Sequence, residues 1–130
     1  MNKRPMTRKG YNAIREELTK LKAQRPELAR AIEVARAQGD LSENADYDAA
    51  KNRSGMIEAR IRDCESKLAT ADVIEPQRLR GATRVMVGMS VRVEELSSGE
   101  ERVITIVGAD ESDVSRGYIS FEAPMGRAFI

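Results

Sequence analysis

The chain has 130 residues, of which 33% are charged and 4% aromatic, so it can hold one coiled-coil element and one small globular domain. It contains no histidine and one cysteine, Cys64, which excludes Cys/His zinc sites, histidine-based general-base chemistry and an internal disulfide. Because it has neither a run of about 18 apolar residues nor the apolar segment of a signal peptide, we expect a cytoplasmic protein with no membrane partner.

Charge is distributed unevenly along the chain, although the net charge is only +1. Residues 1–38 carry +6, residues 39–50 carry −4, residues 51–80 carry +2 and residues 81–130 carry −3. The negative stretch has no base and four acids: Asp40, Glu43, Asp46 and Asp48. The pattern indicates a basic rod that carries an acidic end.

Two long segments on either side of the acidic stretch have the apolar spacing of a coiled coil. In each, the seam residues recur at alternating intervals of three and four for about four heptads. The first series is Tyr11, Ile14, Leu18, Leu21, Arg25, Leu28, Ile32 and Ala35, and the second is Tyr47, Ala50, Ser54, Ile57, Ile61, Cys64, Leu68 and Ala71. Because a short turn joins them, we predict an antiparallel helical hairpin with arms of about 40 to 45 Å.

The predicted helix boundaries follow from capping and helix-breaking residues. Thr7 is the expected N-cap of the first helix, because its hydroxyl can accept a hydrogen bond from an amide of the first turn. This helix is expected to run to about Gln38, with a kink but no break at Pro26, and to end at Gly39, which can adopt a left-handed conformation. The second helix is expected over residues 42–71.

The acidic turn has two interpretations that do not exclude each other. Asp40 and Glu43 have the spacing of a capping box, in which Asp40 accepts from the amide three residues on and Glu43 reaches back. The same carboxylates could face solvent and bind a cation, because such a cap leaves carboxylate oxygens free.

After a basic linker at residues 76–81, the period of the pattern changes to two. Strands are predicted at residues 83–87, 90–96, 101–107 and 118–121, with a turn at 97–100 and a polar loop at 108–117. The acidic part of that loop loosely resembles a calcium loop but lacks its glycine and its final glutamate, so we expect it to be solvated.

The predicted fold class is therefore α+β. An antiparallel coiled-coil hairpin occupies residues 1–75, and a small antiparallel β domain occupies residues 82–130. The apolar residues 128–130 would leave an exposed sheet edge, so we expect the β domain to be incomplete.

Several motifs, taken in order, resemble the bacterial transcript-cleavage factors of the Gre family, more closely its GreA than its GreB branch. They are MTRKGYNAIREEL, GDLSENADYDAAK, ADVIEP, and ITIVGADESD followed by GYISFEAPMGRA. The resemblance covers nearly the whole chain. The chain departs from the family in two places: the family usually has Ser-Pro where this chain has Ala123-Pro124, and its members continue through further strands beyond Ile130.

The resemblance implies an elongation factor that docks on bacterial RNA polymerase through an FKBP-like C-terminal domain and inserts its hairpin into the secondary channel. There it would stimulate the polymerase's own cleavage of backtracked RNA, so that the protein is not itself an enzyme. The metal-directing acids would be Asp40 and Glu43. Residues that would support the tip are Gly39, Leu41, Ser42, Asn44 and Tyr47. Arg36, Lys51 and Arg53 would lie at or near a basic patch. Glu122 and Pro124 would dock on the polymerase.

The acid pair also suits this chemistry on independent grounds. Two-metal cleavage of RNA needs one ion to activate the attacking water and another to stabilise the leaving oxygen. Mg²⁺ keeps most of its waters and accepts one or two protein carboxylates. Two acids alone cannot hold it tightly, so we expect Mg²⁺ to be shared with the polymerase and the nascent RNA 3′ end, and not bound by the free protein.

Three alternatives remain. A non-cleaving Gre-like paralogue would occupy the same channel and modulate or inhibit transcription, but its tip should lack the acid pair. A structural coiled-coil adapter would never meet polymerase. An active prolyl isomerase is disfavoured, because the C-terminal region has few aromatic residues for an apolar pocket: Tyr118, Phe121 and Phe129.

Overall fold

The computed structural model describes residues 3–39 and 44–130, and it confirms the predicted fold class of a helical N-terminal region followed by a small β domain. The chain forms two compact units. One comprises residues 13–69, and the other comprises the described residues up to 12 together with residues 70–130. These bounds differ from the expected hairpin domain of residues 1–75, because strand β1 (Arg4–Thr7) pairs in parallel with β2 (Ala71–Ile74).

The hairpin has two arms. The first arm consists of α1 (Arg8–Ala23) and α2 (Arg25–Arg36), and the second arm is α3 (Ala45–Ala69). A single residue, Gln24, separates α1 from α2, and its torsion angles remain right-handed helical. Pro26 lies in the first turn of α2, where its missing amide would have no partner within the helix in any case. The expected single kinked helix is therefore two helices, and the interruption precedes the proline by two residues.

The predicted seam is confirmed by burial. Every residue of the two series is buried or half-buried except Arg25, which instead forms a bidentate ion pair with Glu58 across the hairpin, with N–O distances of 2.8 and 2.9 Å. Glu17 and Arg60 form a second link at 2.6 Å. The order of the two links is reversed between the arms, since Glu17 precedes Arg25 whereas Arg60 follows Glu58, so the arms are antiparallel. Cys64 is 1% exposed, and burial raises the pKa of its thiol, as expected for a packed seam residue.

The β unit contains a mixed sheet in the order β3 (Ser90–Glu94), β4 (Glu101–Val107) and β5 (Tyr118–Ser120). Strands β3 and β4 are antiparallel, as predicted, whereas β5 lies parallel to β4, so the sheet is not antiparallel throughout. The parallel pairing is possible because the crossover between β4 and β5 includes two short 3₁₀ helices, Ala109–Glu111 and Val114–Arg116.

The strand predicted at residues 83–87 is absent, and this prediction was wrong. Val87 is buried in the core, but the hydrogen bonds to β4 come from the residues after it: the Gly88 amide donates to Ile106 at 2.7 Å, and the Ile106 amide donates to Met89 at 2.9 Å. Gly88 has φ +99°, a left-handed conformation that turns the chain away from an extended path.

A short helix, α4 (Pro124–Phe129), follows β5. The core of the β unit consists of Ile74, Val87, Ile104 and Ile106, and Phe121 and Phe129 pack against it. These two aromatic rings therefore help to fill the core. Within the described residues, no helix is both long and apolar enough to cross a membrane.

Candidate functional site: the hairpin tip and the C-terminal segment

The Asn44 side chain fastens together the two helix ends at the hairpin tip. Its Nδ2 donates to the carbonyl oxygen of Ala35, in the last turn of α2, at 2.5 Å. Its Oδ1 accepts from the backbone amide of Tyr47, in the first turn of α3, at 3.0 Å. One amide group thus serves the C-terminus of one helix and the N-terminus of the next.

Asn44 also holds the N-cap position of α3, which begins at Ala45 and not near Ser42 as expected. Asp40 and Glu43, the two predicted metal-directing acids, lie outside the described residues, as do Leu41 and Ser42. The capping-box interpretation of Asp40 and Glu43 therefore stays a prediction. The side-chain hydrogen bond at the start of α3 comes from Asn44.

Gly39 lies at the boundary of the described tip and has φ +119°. The last helical hydrogen bonds of α2 are donated by Ala37 to Glu33 and by Gln38 to Ala35, after which the chain leaves the helix. Among the described residues, no neighbouring atom lies within 4 Å of where a Cβ of residue 39 would stand. Glycine is thus needed at this position for its backbone angle and not for space.

Charged side chains lie on both helices beside the tip. Arg36 is in the last turn of α2 and makes a loose, exposed ion pair with Glu33 at 3.6 Å. On α3, the Lys51 ammonium lies 5.3 Å from the centre of the Tyr47 ring, a cation–π arrangement one turn along the helix. Arg53 is exposed half a turn further on. The three basic residues predicted from the resemblance are therefore brought to the tip-proximal parts of α2 and α3.

Metal-ligating side chains are sparse in the part of the chain that the structure describes. Residues 3–39 and 44–130 contain no group of three or more His, Cys, Asp or Glu side chains that could hold a metal ion. Asp46 and Asp48 stand in the first turn of α3, where the helix dipole stabilises negative charge.

The predicted docking residues lie in the β unit, at the turn between β5 and α4. Glu122 and Pro124 are both exposed, and Pro124 occupies the first helical position of α4. The Arg127 Nε donates to the Glu122 carbonyl at 2.7 Å, which holds the turn in place. Because a Cβ on Gly126 would overlap the Ser120 carbonyl, only glycine lets α4 pack so closely against β5.

One cluster that the sequence interpretation missed centres on Glu111, in the loop expected to be solvated. Its carboxylate accepts from the Thr7 amide at 3.0 Å, from the Thr7 hydroxyl, and from the Gly108 amide at 2.9 Å. The Thr7 hydroxyl in turn accepts from the Gly10 amide at 3.1 Å, which confirms Thr7 as the N-cap of α1. No local pattern predicts a partner 104 residues away.

Comparisons with known proteins match two family models along the chain. Residues 4–73 match the family described as "Transcription elongation factor, N-terminal", and residues 80–130 match "Transcription elongation factor, GreA/GreB, C-term". The chain is 48% identical to transcription elongation factor GreA of Desulfovibrio desulfuricans over 126 residues, which are 97% of this chain and 77% of that protein. It is 50% identical to the GreA of Ralstonia nicotianae over 127 residues, 97% of this chain and 80% of that one.

A solved structure has a similar fold. GreA factor homolog 1 of Thermus thermophilus superposes with a TM-score of 0.53 at 26% identity, over 99% of this chain and 83% of that chain.

Proposed function

Because the chain belongs to the GreA/GreB family of transcription elongation factors, we propose that it acts on bacterial RNA polymerase through its hairpin tip. The hairpin enters the polymerase's secondary channel and stimulates the enzyme's own cleavage of backtracked RNA, so that arrested complexes resume elongation. The protein itself performs no phosphodiester chemistry in this proposal.

The observation that carries the proposal is the construction of the tip. The connection that contains Asp40 and Glu43 starts and ends on two helices that Asn44 fastens together. Chemistry at a shared metal depends on placing carboxylates to within about 1 Å, so the two acids need an anchored base. The antiparallel arms, linked by Arg25 and Glu58, supply a long support for that base.

The donor set fits Mg²⁺ as a shared ion. Carboxylate oxygens are the ligands that Mg²⁺ takes from proteins, and it usually needs only one or two of them beside water and phosphate. Asp40 and Glu43 would hold the ion together with ligands from the polymerase and the RNA 3′ end. When bound, Mg²⁺ lowers the pKa of an attacking water and stabilises the leaving oxygen.

The docking surface of the proposal is the turn that presents Glu122 and Pro124. Both side chains are exposed on a turn that is held by Arg127 and by the close packing of Gly126. Substitutions there should raise the protein concentration needed for half-maximal RNA release and leave the saturating rate unchanged. The basic residues Arg36 and Lys51 would steer the tip towards RNA phosphate, an effect that weakens as salt rises.

RNA release from stalled elongation complexes, with and without this protein, tests the proposal. Asp40→Asn and Glu43→Gln should each abolish stimulated release while binding to polymerase persists, because the charge at the metal is lost. Asp46→Asn is the matched control, an exposed acid at the same end of the hairpin, and should release RNA at the full rate.

Two outcomes would count against the proposal. Full activity of the Asp40→Asn variant would show that the acid does not direct a metal. Binding of the wild-type protein without any release of RNA would favour a non-cleaving paralogue.

A further inference from the structure

We infer that Asn44 is a positioning residue for the tip acids. This inference rests on the proposed function and adds a residue to it. Asn44 has a dual role in the geometry: it caps α3 through Oδ1 and ties α3 to the end of α2 through Nδ2. The cap is the hydrogen bond to Oδ1, and it stabilises one helix. The tie is the hydrogen bond from Nδ2 to the Ala35 carbonyl, and it joins two helices.

The orientation of the Asn44 amide is determined by its partners. The Ala35 carbonyl can only accept, so the group facing it must be the NH₂, and the Tyr47 amide can only donate, so the group facing it must be the oxygen. Aspartate also caps helices well and has nearly the shape of asparagine, but its ionised carboxylate only accepts hydrogen bonds. Aspartate at this position would therefore keep the bond from the Tyr47 amide and lose the bond to the Ala35 carbonyl.

The tie also meets a need at the end of α2. The Ala35 carbonyl is one of the last four of that helix, which have no partner in a continuing turn. Ala35 is 3% exposed, and its carbonyl accepts from the Gln38 amide at 3.2 Å as well as from Asn44. The tie thus joins the buried Ala35 in the last turn of α2 to Asn44, the residue before α3.

Removing the tie should release the connection without unfolding the helices. Since a misplacement of about 1 Å can cost about 100-fold in rate, a partial loss of anchoring predicts a saturating cleavage rate about tenfold lower. The Mg²⁺ concentration for half-maximal rate should rise, because loosely held carboxylates bind the shared ion less well. The protein concentration for half-maximal effect should not change, since the docking residues are untouched.

Asn44→Asp is the decisive variant, because its carboxylate keeps the cap and cannot donate the hydrogen bond of the tie. We expect wild-type helicity and polymerase affinity, about tenfold slower release at saturation, and faster hydrogen exchange of the amides of residues 36–43 in the free protein. The Tyr47 amide should keep its protection, because the aspartate carboxylate still accepts from it. Asn44→Ala, which loses both bonds, should add a loss of protection at Tyr47.

Arg102→Gln is the control: it breaks an exposed, loose ion pair with Glu100 in the β unit and should leave release and Mg²⁺ dependence unchanged. Unchanged exchange in Asn44→Asp, or wild-type release with wild-type Mg²⁺ dependence in that variant, overturns the inference. The proposed function still stands in that case if Asp40→Asn is inactive. If the wild-type protein releases no RNA, the proposed function fails and the positioning role fails with it, even where faster exchange shows that the tie itself exists.

Discussion

The N-terminal ends of α1 and α3 are both capped by a side chain, but different contacts hold the two capping side chains in place. Each helix starts with a side-chain cap that accepts from the amide three residues on: Thr7 from Gly10 at 3.1 Å, and Asn44 from Tyr47 at 3.0 Å. The Thr7 cap is itself held by the Glu111 carboxylate, which also binds the Gly108 amide. The Asn44 cap is tied through one hydrogen bond to the Ala35 carbonyl.

A glycine stands beside each cap, and the two glycines are needed for different reasons. Gly10 is buried, and a Cβ there would overlap the Glu111 side chain, although its backbone is helical. Gly39 has open space around it and φ +119°. The start of α1 is therefore constrained by packing against distant residues, and the tip is constrained by local backbone geometry.

Removing the Glu111 carboxylate should have the largest effect on stability. Glu111→Ala leaves the amides of Thr7 and Gly108 without an acceptor in a half-buried site, so we expect a loss of about 3 kcal/mol in the free energy of unfolding. Urea titration followed by circular dichroism measures it. Glu100→Ala is the control, since its exposed pair with Arg102 should contribute about 0.5 kcal/mol or less. A loss of only about 0.5 kcal/mol for Glu111→Ala would show that its carboxylate does not stabilise the start of α1.

Gly10→Ala should destabilise the protein by about 2 kcal/mol, because the new methyl group displaces a carboxylate that is held by hydrogen bonds. Gly55→Ala is the matched control: it lies in α3 with no atom within 4 Å, so alanine should stabilise by about 0.5 to 1 kcal/mol through helix propensity. In the Glu111→Ala background, Gly10→Ala should lose its penalty. A penalty that persists there would mean that Glu111 is not the obstacle.

Gly39→Ala should cost about 1 kcal/mol, the typical penalty for an L residue with a positive φ. Because no neighbour causes this penalty, no truncation of a nearby side chain should relieve it, in contrast to Gly10. The same urea titration measures the loss. An unchanged stability would show that the end of α2 can adopt another path.

The smallest expected effect is a change in how Tm depends on pH. The hydrogen bond from Arg25 lowers the pKa of Glu58, and that from Arg78 lowers the pKa of Asp72. A lowered folded-state pKa stabilises the protein above the unfolded value of about 4 and loses this contribution as pH falls through the folded value. Glu58→Gln and Asp72→Asn should each flatten the fall of Tm with acid. An equally steep fall in both variants would locate the acid sensitivity elsewhere.

Much of the hairpin could be predicted because its features depend on residues that are close together in the sequence. The seam depends on spacings of three and four, and every predicted seam residue except Arg25 is buried or half-buried. The Thr7 cap, the β3–β4 turn and the positive φ of Gly39 are equally local properties. The two acids proposed as the site were visible for the same reason, since they belong to one contiguous motif.

The sequence by itself determined the two apolar seams, the turn between them and the residues that motif presents, because helix periodicity and capping act over a few residues. Tertiary structure alone decided which side chains meet across long separations. The parallel pairing of β1 with β2 and the contact of Glu111 with Thr7 join residues that are about 67 and 104 positions apart. The cap that Asn44 provides to the Tyr47 amide is local, whereas its second bond, to the Ala35 carbonyl, forms only once the arms have packed.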